Sequence, residues 1–393
     1  MKLFSSATAA TGGAAYALWT FPAVVGSAFM LAWAAESAQF FISQGLSLAI
    51  LAWVQTLPEF AVEAVIAWQA PRTFNGLHLV CANFTGAVRL LVGLGWPLIY
   101  VTAAIFHRRN HGGRLKAIRL EPEHSVEVVG LILPLLYFTY VDIKGTLSVW
   151  DGVALVAIYA AYMAVLNRIP PRELKEGGEE EWPINRIVAM KRGRRNLAIA
   201  ALFIGGAAII YFAAEPFLHS LLAMAVSLGV SQFVFVQWVA PFLSEFPEKV
   251  SALYWARKDE GAPMALMNMV SSNINQWTML AAMIPFVYAF SAGHVQPIVF
   301  DHDQRVEIAL TLTQSGFAMC TLANMAFAWH EALVLFVLWL AQFCIPSLRE
   351  EVAVIYGGWI AFEMVRWSLR RRGPEAFREF WTLFKLRVLG RPA

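Results

Sequence analysis

Two stretches of this 393-residue chain decide how it is read: VQTLPEFAVEAVIAWQ at residues 54–69 and LSEFPEKVSALYWARK at residues 243–258. Each is an apolar run interrupted by a proline that is followed at once by a glutamate. Proline has no N–H to donate, and its ring collides with the carbonyl one turn earlier, so it breaks a helix. Past a short loop, each stretch is followed by a second apolar segment: LHLVCANFTGAVRLLVGLGWPLIY at 77–100 and MALMNMVSSNINQWTMLAAMIPFVY at 264–288. Glu59 precedes Asn83 by 24 residues, and Glu248 precedes Asn273 by 25. Agreement in residue type, order and spacing identifies an internal repeat.

The rest of the chain explains the solvent in which this repeat sits. Hydrophobic residues make up 59% and charged residues 15%, against roughly 25% charged in an ordinary soluble domain. Apolar runs recur, each long enough to cross a hydrocarbon core of about 30 Å as a helix. They lack the alternation of barrel strands, and lipid leaves helices as the remaining way to satisfy the backbone. Helices are expected near 13–35, 43–70, 76–105, 125–142, 147–167, 196–215, 225–256, 263–291, 306–326, 329–346 and 351–368.

The expected fold is therefore an all-α polytopic membrane protein with two inverted five-helix repeats plus an eleventh helix. Residues 1–167 form the first repeat (motif core 45–105), 168–195 a cytoplasmic loop, and 196–346 the second repeat (motif core 229–291). Residues 347–393 supply the extra helix and an interfacial amphipathic helix, PEAFREFWTLFKLRVL. Five helices separate equivalent positions, an odd number, so the second repeat is inverted. The two breaks then meet near the midplane, where freed carbonyls and carboxylates serve a cation.

Lys and Arg placement gives an orientation. With the N-terminus outside, inner loops hold Arg108, Arg109, Arg114, Lys116 and Arg119, eight bases from Arg168 to Arg195, then Arg257, Lys258 and Arg370–Arg372. Outer loops hold little beyond Arg72, Lys144, Arg305 and Arg349. The location that follows is a bacterial-type plasma membrane. The first apolar run is expected to be a retained helix rather than a cleaved signal. A net charge of +3 gives no ground for a nucleic-acid partner. Lipids and transported cations are the expected partners, with no cofactor and no enzymatic nucleophile-base pair. Cys81, Cys320 and Cys344 show no metal-like pairing and are expected to pack in apolar segments. Many of the 15 tryptophans sit at helix ends, where interfacial belts favour them, and none needs a cofactor.

The repeat resembles the calcium/cation antiporter superfamily, which includes the sodium/calcium exchangers. Its alpha-repeats read G-T-S-x-P-E, then G-S-N-I at the start of a second helix. The matching residues are Val54-Gln55-Thr56-Leu57-Pro58-Glu59 with Cys81-Ala82-Asn83-Phe84, and Leu243-Ser244-Glu245-Phe246-Pro247-Glu248 with Ser271-Ser272-Asn273-Ile274. Gly229-Val230-Ser231 resembles the lead-in to the second repeat. The resemblance implies alternating access, and the expected function is outward movement of Ca²⁺ or a related cation in exchange for Na⁺, with a H⁺-coupled exchanger of the same fold as the alternative. The departures are Val54, Gln55, Ala82 and Gly86 in the first half, and Glu245 and Gln276 in the second.

Glu59 and Glu248 are the expected charged ligands, since a charge inside a membrane costs at least about 2.5 kcal/mol and marks a pathway. Thr56, Ser244 and Ser272 add hydroxyls toward the six to eight oxygens that a hard divalent cation takes. Asn83 and Asn273 serve either as ion ligands or as interhelical hydrogen-bonders. Glu63 and Glu245 share helical faces with the two glutamates, and Gln276 stands where an acid often lies. They extend the ion path, or Glu63 instead neutralises Arg89. Arg89 or Lys249 seated on Glu59 or Glu248 would mark a scaffold or sensor that has lost transport. His330-Glu331 reads as the polar edge of a helix, and Glu179–Glu181 as a solvated loop.

Overall fold

A computed structural model describes residues 10–73, 76–171, 182–227, 235–258, 260–369 and 373–390. The lead-in Gly229–Ser231, the acidic run Glu179–Glu181 and Arg370–Arg372 lie outside the described residues. The first half runs α1 (Ala10–Ala38), α2 (Gln44–Gln55), α3 (Leu57–Gln69), α4 (Gly76–Leu90) and α5 (Trp96–His111), followed by α6 (Ser125–Gly130), α7 (Ile132–Lys144) and α8 (Val149–Leu166). After a short α9 (Ile184–Val188) come α10 (Arg192–Ser227), α11 (Ala240–Ser244), α12 (Phe246–Ala256), α13 (Ala262–Asn275), α14 (Ala281–Ala292), α15 (His302–Leu322) and α16 (Trp329–Cys344). The chain closes with α17 (Arg349–Leu369) and α18 (Glu375–Leu383). π-helical turns at Leu91–Gly95 and Gln276–Leu280 join α4 to α5 and α13 to α14, and a third at Phe235–Val239 leads into α11.

Among the described residues, five helices are long and apolar enough to cross a membrane on their own, and the bent pair α2–α3 makes a sixth. The chain is a multi-pass membrane protein. α1 lies along α10, and small residues permit the approach: a Cβ at Gly206 would stand 2.7 Å from Leu31 Cγ. Close backbone contact of this kind replaces the missing hydrophobic driving force between helices in lipid.

Four short strands expose the relation between the halves. β1 (Ala117–Arg119) follows α5 and β2 (Thr146–Leu147) precedes α8; β3 (Ile298–Val299) follows α14 and β4 (Ala326–Ala328) precedes α16. β1 pairs antiparallel with β4, and β2 with β3. The loop after the third helix of one half thus shares a face with the loop after the fourth helix of the other. That exchange is what inversion of the second repeat requires. Strands of two or three residues carry too little alternation to be read from sequence.

Several expectations need correction. α10 continues through Pro216 to Ser227 rather than ending near 215, because the apolar run persists on both sides of the proline. α15 starts at His302, four residues early, because Asp301 accepts from Gln304 N at 2.9 Å and closes a capping box. The same helix ends at Leu322 rather than near 326, and Ala326–Ala328 form β4. Glu331 Oε2 accepts from Ala328 N at 2.6 Å, so the His330-Glu331 pair sits at the helix start, as expected. Cys81 and Cys320 are buried, but Cys344 is exposed at the end of α16. Trp96, Trp255 and Trp277 are buried in the core, while Trp19, Trp68, Trp150 and Trp329 are among those exposed.

Candidate functional site

Pro58 leaves the Val54 carbonyl without an i+4 donor, and Pro247 does the same for Leu243. α2 accordingly stops at Gln55, and the helix resumes beyond Thr56 with a 47° bend. Glu245 takes the equivalent place between α11 and α12. Glu59 and Glu248 both fall in the first turn of the resumed helix, where the positive end of the dipole favours a carboxylate.

The breaks face each other. Gln55 Nε2 donates to Pro247 O at 3.3 Å and to Ser251 Oγ at 2.6 Å, while Asn268 Nδ2 donates to Gln55 Oε1 at 3.4 Å. The residue that departs from the motif's threonine is therefore one cross-link between the halves. Thr56 Oγ1 donates to Ala52 O at 2.8 Å and accepts from Asn275 Nδ2 at 2.7 Å.

Glu59, Glu63, Glu245 and Glu248 are all buried, and the other three carboxylates lie within electrostatic range of Glu59. Gln276 stands between two of them. Its Nε2 donates to Glu59 Oε1 at 3.0 Å and Oε2 at 3.1 Å, and to Glu245 Oε1 at 3.0 Å. Lys249 Nζ pairs with Glu245 Oε2 at 2.6 Å, one helical turn away. Ser272 Oγ donates to Glu248 Oε1 at 3.5 Å, and Ser244 Oγ to Pro241 O at 3.2 Å. Asn83 Nδ2 donates to Glu63 Oε2 at 2.5 Å.

What remains unpaired is mostly oxygen. Among the described residues, Glu63 Oε1, Asn83 Oδ1, Glu248 Oε2, Asn273 Oδ1, Asn275 Oδ1 and Gln276 Oε1 are buried without a hydrogen-bond partner, as is Asn273 Nδ2. Each such atom costs about 1–3 kcal/mol. Carboxylate and amide oxygens of this kind are the donors a hard cation uses. No group of three or more His, Cys, Asp and Glu is arranged to hold a metal ion among the described residues. The acids are interleaved with amides, as Gln276 illustrates.

The two buried bases sit elsewhere than on the motif glutamates. Arg89 does not neutralise Glu63: it pairs with Glu307, donates to Gln342 Oε1 at 3.0 Å, and lies over the Trp238 ring. Glu307 also pairs with Arg349, whose Nη2 reaches Gln237 Oε1 at 3.0 Å. This network ties α4, α15, α16, the start of α17 and the π turn before α11, and sequence reasoning missed it. Its partners lie 42 to 253 residues apart, so no local spacing reveals it. Asn268 and Asn275 were also missed, although polar residues seven apart on an apolar helix share a face with Ser271 and Ser272.

Gly86 has a packing cause. A Cβ there would stand 2.0 Å from Gln237 O, so only glycine lets the π turn close on α4.

The family model described as sodium/calcium exchanger protein matches residues 12–167 and 198–347. Among solved structures, the crystal structure of the H⁺/Ca²⁺ exchanger CAX is similar at 31% identity and TM-score 0.78, covering 96% of this chain and 92% of that one. The sodium-calcium exchanger NCX_Mj soaked with 10 mM Na⁺ and zero Ca²⁺ is similar at 19% identity and TM-score 0.61, covering 86% and 99%. The same exchanger soaked with 2.5 mM Na⁺ and 0.1 mM Sr²⁺ gives 18% and 0.62, with coverage of 86% and 99%, a likeness of fold. No curated protein sequence matches the chain.

Proposed function

The chain belongs to the sodium/calcium exchanger family, and on that premise we propose that it moves Ca²⁺ or a related cation in exchange for H⁺ at the meeting of its two helix breaks. The observation that carries this reading is the burial of Glu59 and Glu248 on facing breaks, surrounded by unpartnered oxygens from both halves. Glu59, Glu248, Glu63 and Glu245 supply charge. Thr56, Ser244, Ser272, Asn83, Asn273 and Gln276 supply or orient neutral groups.

The physical basis of exchange is competition. Four carboxylates in one low-dielectric space repel each other, and Lys249 offsets one of them. A divalent cation relieves the repulsion when it binds; protons relieve it when it leaves. Rocking of one repeat against the other then exposes the site to each face in turn.

Protons are favoured over sodium because a full set of sodium sites needs neutral side-chain oxygens, and Ala82 and Gly86 offer none. Sodium coupling, which the repeat motif implies, is the second reading. The inner face is the β1–β4 face, on the Lys/Arg count of its loops, and the membrane is the plasma membrane. Purified protein in liposomes tests the proposal. A pH gradient should drive Ca²⁺ uptake, while a sodium gradient at fixed pH should not; uptake driven by sodium alone overturns the proton reading.

A further inference from the structure

A buried carboxyl outside both breaks has no role in the site above. Glu127 lies in α6, toward the β1–β4 face; it is 1% exposed, and its Oε2 has no hydrogen-bond partner among the described residues. Its Oε1 is lodged against the backbone of α2, where a Cβ on Gly45 would stand 2.3 Å away. An ionisable group held inside a membrane protein without a compensating base is expensive and marks a path.

Polar groups from α2, α8 and α13 neighbour Glu127 and one another. On the face side, His124 Nε2 contacts Gln44 Oε1 at 3.1 Å, next to Gly45 in the chain, and Glu123 is the charged neighbour of Glu127. Toward the centre, the Tyr162 hydroxyl from α8 lies within electrostatic range of Glu127 and Tyr159 and next to Ser271, with no hydrogen-bond partner among the described residues. A Cβ at Gly130 would stand 2.9 Å from the Tyr162 ring, so this glycine, one turn after Glu127, admits the ring. Ser271 Oγ is likewise unpartnered, and the adjacent Ser272 donates to Glu248. α13 contributes no charged residue, and α18, packed on α6, carries Glu375, Arg378 and Glu379.

We propose that Glu127 is a proton-carrying site, loaded from the β1–β4 face past His124 and emptied through Tyr162 toward Ser271 beside the cation site. This rests on the proton-coupled reading above. Each hydroxyl gives one proton and takes one, so a single H⁺ moves along this path and nothing is oxidised.

Two readouts on full-length protein test the proposal. Infrared difference spectra against pH should show a buried carboxylic C=O band that disappears in Glu127→Gln. Ca²⁺ flux driven by a pH gradient in proteoliposomes should lose most of its pH dependence in that variant and fall several-fold in Tyr162→Phe. Equilibrium Ca²⁺ binding at alkaline pH should stay unchanged in both. If Glu127→Gln fails to fold, Glu127→Asp should keep the band at a shifted frequency and slow the flux.

An unchanged band together with an unchanged flux profile in Glu127→Gln overturns the proposal. Wild-type protein that moves Ca²⁺ under no gradient overturns the transport reading instead. In that case the infrared band still decides whether Glu127 holds a proton.

Discussion

At the first break, both oxygens of Glu59 accept from Gln276, which reaches across from the other half. At the second, the one side-chain donor to Glu248 among the described residues is Ser272 at 3.5 Å, and Oε2 has no partner among them. The paired asparagines differ in the opposite sense: Asn83 is bonded to Glu63, while both side-chain atoms of Asn273 are free of partners. The clearest divergence is at the position four residues beyond the second-helix Ala82 or Ser272. In the first half it is Gly86, closed upon by Gln237 O; in the second it is Gln276, which clamps two acids. One motif, inverted and repeated, has thus become a held carboxylate on one side and an open one on the other. Exchange needs both: a fixed charge to define the site and a free oxygen to receive the ion.

The largest test of this contrast is removal of each acid. Glu59→Gln and Glu248→Gln should each reduce Ca²⁺ exchange to the background of empty liposomes, with elution from a sizing column unchanged. Gly86→Ala should cost about 1–3 kcal/mol through overpacking, seen as a lower thermal unfolding midpoint in detergent. The cause is steric, so a Gly86→Ala protein that melts at the wild-type midpoint would contradict the account.

The asparagines give a smaller, signed difference. Asn83→Ala strips the partner from a buried Glu63 and should destabilise by about 1–3 kcal/mol, whereas Asn273→Ala should leave the unfolding midpoint near wild type while lowering Ca²⁺ affinity. Thermal melts and calorimetric Ca²⁺ titrations of the two variants separate these outcomes. Finest of all is Gln276→Glu, which replaces the bridging amide by a further carboxyl. Divalent binding should tighten at alkaline pH and fall off more steeply as pH drops, since more acids then compete for protons.

Much of this was legible in the chain. Pro58-Glu59 and Pro247-Glu248, with Asn83 and Asn273 at matched distances, were enough for the helix breaks, the repeat and its inversion, because a proline and a carboxylate each carry a large local cost in lipid. The wider shell was not legible. Gln55 looks like the loss of a hydroxyl until Pro247 O is seen beside it, and Gly86 looks like the loss of a ligand until Gln237 O is. Arg89 reads as a partner for the nearby Glu63, yet the ion pair it makes is with Glu307, 218 positions away. Contacts of that kind depend on how inverted halves interdigitate, and single-chain spacing holds no record of it.

The central claim is that Glu248 is the open carboxylate on which transport turns. Ca²⁺ uptake driven by a pH gradient, measured in liposomes carrying wild-type protein or Glu248→Gln at matched density, tests it most directly. The account predicts uptake in the first and none above background in the second. Equal uptake in both would contradict it.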